Sequence, residues 1–457
     1  MKLRKLSIYT ACALLLSGTA CSYFEVEDSQ DPNRAAIESI ANPSRSQIGQ
    51  LVVGVVAQMR NSYGSNAPYN RVTGVLGREI YVLATNESKW YNDLLGARPL
   101  DDISFYSVGA YNQISLARRA AQNLQEASQR STFLSEEEKK GVSGFANTVQ
   151  AWSMLHLLNL MGENGIRIEY GDPNDPRNPG PGPFVNYDAA LTEIRRLLDV
   201  AGTELAGAGD ELAFALPGGF AGFDDPESLR EFNRALTARV AVYQEDWTGA
   251  LAALDESFLN LSAATPADLM VGPKHTFGAA PDVFNFYFQN PNANSPTLAF
   301  VHPSFLANAE PGDRRVAEKT EPRTSPRTLG DLTGTHDPTL YTTNTTPISI
   351  IRNEELLLIY AEAKIQLGQY EDAISALNTI RTVAGGLTPY AGSRTDKEAL
   401  ISEMLKQRQY SLWYEGHRWI DMRRYNRLNQ LPLDRTGDQV WDRLRVPFNE
   451  TAWGGTL

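Results

Sequence analysis

Two stretches combine aromatic rings with side-chain amides in a way that suits sugar recognition. Residues 86–96, NESKWYNDLLG, set Trp90 and Tyr91 beside Asn92 and Asp93 in a polar setting. Residues 284–292, FNFYFQNPN, offer Phe286, Tyr287, Gln289 and Asn290. A sugar ring stacks its apolar C–H faces on aromatic faces, while amides, carboxylates and guanidinium groups hydrogen-bond its hydroxyls. Trp90, Tyr91, Asn92, Asp93, Tyr287 and Asn290 are therefore the candidate ligand-binding residues. The competing reading places such rings in the core. It is adopted for Trp152, Trp247 and Trp419, which fall on helical stretches, and for Trp90 both readings stay open.

Catalytic constellations are sparse. The five histidines, His156, His275, His302, His336 and His417, are far apart and none forms an HExxH pair. There is no GxSxG elbow, no Walker-type loop and no GxGxxG after a strand. A glycosidase carboxylate pair stays open, because such pairs are set by distance in space. His156, among Met154, Leu155, Leu157 and Leu158, reads as a satisfied core histidine. Asp172, Asn174 and Asp175 could offer oxygen ligands to calcium, the one cofactor considered. No bidentate glutamate follows at the required spacing, so turn chemistry is the preferred reading. No catalytic residue and no firm metal ligand is assigned.

The elements that position these residues are mostly helical. In 354–386, Leu356, Ile359, Tyr360, Ala363 and Leu367 mark one helix face, and Gly368 interrupts it. Tyr370, Ala373, Ile374 and Leu377 start a second face that Gly385 and Gly386 stop. This pair of about 34 residues has the tetratricopeptide pattern. Residues 235–258 repeat it, with Asp246-Trp247 at the places of Gln369-Tyr370. Further helices are expected over 111–127, over 143–162 behind a capped start at Ser135, and from Tyr187. The pairs look scattered along the chain. The segments at about 60–110 and 260–350 read as long irregular loops on the ligand side, and loops of that length are commonly functional.

The N-terminus carries Lys2, Arg4 and Lys5, then an apolar run to Leu16 and small residues through Ala20. This reads as a secretory signal over residues 1–20. Cys21 follows at once, and the arrangement resembles the lipobox of bacterial lipoproteins, with Gly18 where Leu is usual. Cys21 is then the acylated anchor and residues 21–35 an acidic tether. Cys12 falls in the leader, so the mature body has no other thiol, which excludes disulfides, zinc–thiolate sites and cysteine nucleophiles. Formal net charge is −12 over 457 residues; losing the leader's three cations takes it to −15. So acidic a body is a poor polyanion binder, and nucleic acid is not an expected partner.

The C-terminal third closely resembles the SusD/RagB family of outer-membrane nutrient-binding lipoproteins. The segment from Arg352 through Arg381 and LKQRQYSLWYEGHRWIDMRRYNRL at 405–428 carry the resemblance, and VPFNE at 446–450 closes it. GDRR at 312–315 is a weaker, correctly ordered match. Gln407 and Ser411 stand where the family usually has acids, at positions assigned to ion pairs within the fold. The resemblance implies one mainly α domain over 36–457, with four tetratricopeptide-like helix pairs, long loops and little β structure. Its helical repeat regions are expected at about 111–162, 187–258 and 353–425. It also implies a lipid-anchored outer-membrane protein, facing the exterior, that binds oligosaccharide and partners a SusC-like TonB-dependent transporter. Members are binders and not enzymes. The alternatives kept are a peptide or other nutrient binder on this fold, a surface glycosidase, and a periplasmic tetratricopeptide scaffold. Glu415, Arg418, Asp421, Arg423 and Arg424 are expected to pair between helices and with loop carbonyls.

Overall fold

The computed structural model describes residues 41–64, 68–170, 180–280 and 282–453. The expected leader, Cys21, the tether and the calcium candidates Asp172, Asn174 and Asp175 lie outside the described residues. Among the described residues the fold is mainly helical, with strands only in two-stranded pieces.

Helix α1, Arg45–Asn61, starts at a capping box in which Ser44 and Gln47 satisfy each other's backbone N–H. Helix α2, Tyr69–Leu76, leads into strand β1, Ile80–Ala84, all of whose residues are buried. Helix α3, Ala110–Arg130, and helix α4, Glu136–Met161, follow. The Ser135–Glu138 box caps α4 as the sequence suggests. From Gly141 onward α4 is buried on every side, which fits its lack of a polar face. Helix α5, Tyr187–Ala206, packs so closely on α4 that a Cβ on Gly144 would meet Leu205 at 2.6 Å. Helices α6, Pro226–Tyr243, and α7, Trp247–Asp255, complete this part.

Strand β2, Thr297–Val301, pairs with β1. Strands β3, Thr320–Leu329, and β4, Leu332–Pro338, form a hairpin. Helices α8, Asn353–Gln366, α9, Tyr370–Thr379, α10, Lys397–Ser411, and α11, Arg418–Arg424, close the chain.

Two expectations are corrected. The helix pairs are separated in sequence but continuous in space. The run α1, α3, α4, α5, α6, α7 packs neighbour on neighbour, and α8 then sits directly on α7 and α6 before α9 and α10. The intervening segment loops out and returns to the same place. Asn260 and Asn353 clamp its ends: Asn260 N–H donates to Asn353 Oδ1 at 2.8 Å, and Asn353 Nδ2 donates to Asn260 O at 3.1 Å.

The second correction concerns 60–110 and 260–350, which are not simply irregular. They hold α2, the β1–β2 ribbon and the β3–β4 hairpin. Strand β3 hid because it is polar, mostly solvent-facing and carries Pro322 and Pro326. The ladder slips register between Pro322 and Arg327, where proline costs no pairing bond.

The C-terminal motif builds a buried ionic joint. Arg239 on α6 grips Glu355 on α8 with bonds of 2.6 and 2.7 Å. Arg352 bonds both Glu354 and Glu415. Arg408 meets Asp421 at 2.7 Å, and Arg424 meets Glu362 and Asp421 at 2.9 Å each. Arg423 donates to the carbonyls of Asn159 and Asp442. Not every donor is met: the Nε atoms of Arg418 and Arg424 are buried with no hydrogen-bond partner among the described residues. Gln407 and Ser411 both accept from Arg315, at 2.8 and 3.0 Å, and Asp313 supplies the carboxylate for that guanidinium.

Candidate functional site

Antiparallel pairing of β1 with β2 aligns Ala84 with Thr297, so the loop after one strand meets the loop before the other. Thr85 N–H donates to Pro296 O at 2.9 Å, and Thr297 Oγ1 donates to Asn86 Oδ1 at 2.8 Å. Residues some 200 positions apart thereby share one end of a buried ribbon. The β3–β4 hairpin adds a third edge. Its turn places Gly330 and Asp331 at φ of 57° and 63°, the left-handed pair of a type I′ turn. A Cβ on Gly330 would lie 2.8 Å from the Tyr91 ring, so only glycine lets the turn approach. Arg435 fixes the contact by donating to the carbonyls of Gly330 and Tyr91 while paired with Asp438 at 2.9 Å.

The amide-rich loop is held from beneath. Gln289 Nε2 donates to Ala299 O and to Asp337 Oδ1, and Gln289 Oε1 accepts from Ala299 N–H. Asp337, fully buried, also accepts from Asn292 N–H and pairs with Arg323 at 2.6 Å. Gln289 is thus a strut for the loop and not a ligand group.

The six candidates divide by burial. Asn290 is exposed, and Tyr91 and Asn92 are half-buried at the surface. Trp90 is 6% exposed and packs on Phe105 at a centroid distance of 4.4 Å. Asp93 is buried and accepts the Tyr106 hydroxyl at 3.0 Å. Burial holds its carboxyl above the ordinary range, against the pull of Tyr106. Tyr287 is 2% exposed; its hydroxyl accepts Asn70 N–H and its ring meets Tyr414 edge-on at 5.6 Å. In this conformation Trp90, Asp93 and Tyr287 are core groups, and Trp90 and Tyr287 offer no ring face to a sugar. Phe286 lies under the Arg71 guanidinium at 4.3 Å.

Other polar groups at this end were not singled out in the sequence. Asn86, Asn294, Thr328 and Thr333 are on the same loops and hairpin tip, and Arg327 donates to Pro296 O. The Asn-Pro-Asn-Ala-Asn-Ser-Pro run at 290–296 signals the amides, but nothing local marks Arg435. Lys89 and Asp101 pair at 2.6 Å beside Trp90, a hydrogen bond that raises the ammonium and lowers the carboxyl. The surface can hydrogen-bond a polyhydroxylated ligand at several points beside the Tyr91 ring. Among the described residues no three His, Cys, Asp or Glu side chains are grouped to hold a metal ion. Among them, too, no helix is long and apolar enough to cross a membrane.

His156 is satisfied as expected: Nδ1 bonds Trp152 O at 2.8 Å and Nε2 meets the Tyr63 hydroxyl at 3.2 Å.

Residues 320–451 match the sequence profile of the SusD family. A SusD-like protein of Formosa agariphila is 35% identical over 111 residues, 21% of this chain and 22% of that protein. The match therefore spans about a fifth of that relative's length. A solved SusD superfamily protein of Bacteroides vulgatus superposes with a TM-score of 0.68 at 15% identity, over 90% of this chain and 97% of the other. A laminarin-binding SusD-like protein gives 0.63 at 16% identity, over 91% and 98%. At these identities the superpositions establish a shared fold.

Proposed function

This chain belongs to the SusD/RagB family, and from that premise we propose that it is a lipid-anchored outer-membrane protein that binds oligosaccharide. In this reading Cys21 carries the lipid, the body faces the exterior, and bound glycan passes to a SusC-like TonB-dependent transporter. The protein binds its cargo and breaks no bond in it.

One observation supports the glycan reading: the β1–β2 pairing brings the segment that leads to Tyr91 and Asn92 against the Pro296 end of the amide-rich 290–296 loop. Aromatic edge plus convergent amides is the chemistry that sugar hydroxyls and C–H faces require. The helical stack supplies the rigid support such a site needs.

Calorimetric titration of the mature protein with a panel of oligosaccharides tests this. At least one should bind, and Tyr91→Ala or Asn290→Ala should weaken it tenfold or more with thermal unfolding little changed. Unchanged affinity in both variants would move the site elsewhere. Binding to peptides and to no glycan would replace the ligand class. Anchoring and partner are tested by mass spectrometry of the mature N-terminus, protease shaving of intact cells, and co-purification of a barrel transporter.

A further inference from the structure

A second concavity lies at the base of the β3–β4 hairpin, at the opposite end from the Tyr91 contact. It holds about 310 Å³, within reach of the range for small-molecule pockets, roughly 300–1,000 Å³. Leu269, Met270, Leu340 and Tyr341 give it apolar walls, and Met270 is 42% exposed. Lys319, the last residue of the short helix Arg314–Lys319, lines it.

The amine of Lys319 is held in an unusual way. Its Nζ donates to Tyr410 O at 2.6 Å and to Ser411 O at 2.7 Å. A neutral amine has two N–H bonds and one lone pair. Both donors go to these carbonyls, so the lone pair points away from them. The nearby carboxylates, Glu354 and Glu415, are occupied by Arg352. Burial pulls the Lys319 ammonium down to about 8, against the attraction of Glu354 and Glu415 and with help from the positive charges of Arg352 and Arg315. Lysines desolvated beside other cations act as Schiff-base nucleophiles for this reason.

We infer that Lys319 is a nucleophilic amine that condenses with small aldehydes entering this crevice, the open-chain reducing end of a sugar being the natural chemical class. The lone pair adds to the carbonyl carbon and the carbonyl oxygen takes up a proton, giving a carbinolamine. Loss of water leaves an imine, whose protonated form keeps one N–H for one of the two backbone carbonyls. No oxidant or reductant is consumed until a hydride donor is added to trap it.

Glycolaldehyde with cyanoborohydride, followed by peptide mass spectrometry, reads this directly on the folded protein. An ordinary lysine amine is only about 0.1% neutral at pH 7.5, whereas one at about 8 is roughly a quarter neutral. Allowing for its lower intrinsic nucleophilicity, Lys319 should label on the order of tenfold faster than the exposed Lys140 and Lys397. Its rate should rise through pH 8 and level off by pH 9. Met270→Trp, which fills the crevice without touching the amine, should cut Lys319 labelling several-fold and spare the exposed lysines. Labelling of Lys319 no faster than Lys140, or a rate still climbing above pH 9.5, overturns the inference. So does an unchanged rate in the Met270→Trp protein. Tyr91→Ala should label normally, so this test stands apart from the glycan reading.

Discussion

The ionic joint around α8 and the end of the β1–β2 ribbon are both rich in polar side chains, and they use them in opposite ways. At the joint, Arg239, Glu355, Arg352 and Asp421 are buried and spent on one another. At the ribbon end, Asn290 and Asn294 are exposed, and Tyr91 and Asn92 are half-open to solvent. A buried charge needs a partner of particular type and position, because leaving it alone costs several kcal/mol. An exposed amide is under no such constraint from the fold. The joint therefore writes a strong motif into the sequence and says little about ligand, while the ribbon end writes a weak one and is where the proposed recognition surface lies.

The sharpest way to test that division is to break the joint. Glu355→Leu leaves the Arg239 guanidinium buried and uncompensated, and should destabilise the fold by about 3–5 kcal/mol, read by urea unfolding. Glycan affinity per folded molecule should not change. Arg239→Met together with Glu355→Leu should recover much of the loss, because an apolar pair of similar volume replaces the ions without leaving a charge behind. A single substitution that costs under about 1 kcal/mol would mean the pair is not desolvated as the structure places it.

The neighbours Trp90 and Tyr91 carry the same contrast within two residues. Trp90→Ala empties a core position against Phe105 and should cost about 3 kcal/mol or more. Tyr91→Ala should change stability by under about 1 kcal/mol and lower glycan affinity tenfold or more. Reversed effects on unfolding and titration would restore Trp90 as the platform residue.

These residues also mark what the sequence could reveal. The Ser135 cap and the Gly368 turn are local: a few adjacent side chains decide them, and the structure places them as read. The single apolar face read for α8 is not what forms: Leu367 is exposed, while Leu357, Leu358 and Ala361 are buried too. The inward pairing of Glu415, Asp421 and Arg424 was legible because charges at helical spacing must find partners. The continuity of the helix stack was not, because it depends on where a long looped-out segment returns, fixed by contacts such as Asn260 with Asn353. Trp90 and Tyr91 could not be told apart, since adjacent residues share every local signal and only tertiary packing turns one ring inward. The ribbon end needed the pairing of β1 with β2 across some 200 residues, which no window of sequence contains.

Within the scaffold, His275 sharpens the contrast by violating the joint's rule. It is buried, yet neither ring nitrogen has a hydrogen-bond partner among the described residues. Burial pulls its pKa down to about 3, and the Arg60 charge adds to this. The folded state thus holds the ring neutral, while the unfolded ring titrates near its ordinary value. Stability from this group is complete above about pH 6.5 and is lost as pH falls toward about 3, because the unfolded chain takes the proton first. At pH 5 the loss is about 2 kcal/mol. His275→Phe should be near neutral at pH 7 and should gain on the parent by about that amount at pH 5. Parallel melting curves of the two proteins from pH 7 to pH 5 would show instead that the ring is solvated.

The smallest effect compares the scaffold's two repeats with each other. The turn before α9 bends at Gly368, with φ of 74°, and the matching turn before α7 bends at Glu245, with φ of 59°. The repeat alignment of Asp246-Trp247 with Gln369-Tyr370 puts these two residues in register. A left-handed backbone costs a side-chain-bearing residue about 1–2 kcal/mol that glycine does not face. Glycine returns part of that advantage through the larger freedom of its unfolded chain. Glu245→Gly should therefore stabilise the protein by about 0.5–1 kcal/mol, seen as a higher urea midpoint with an unchanged slope. In the reverse change, Gly368→Glu, the new Cβ would meet no atom within 4 Å, so a similar cost should come from backbone strain alone. If the two substitutions moved stability in the same direction, the turns would not be equivalent, and the helix pairs could not be treated as copies of one unit.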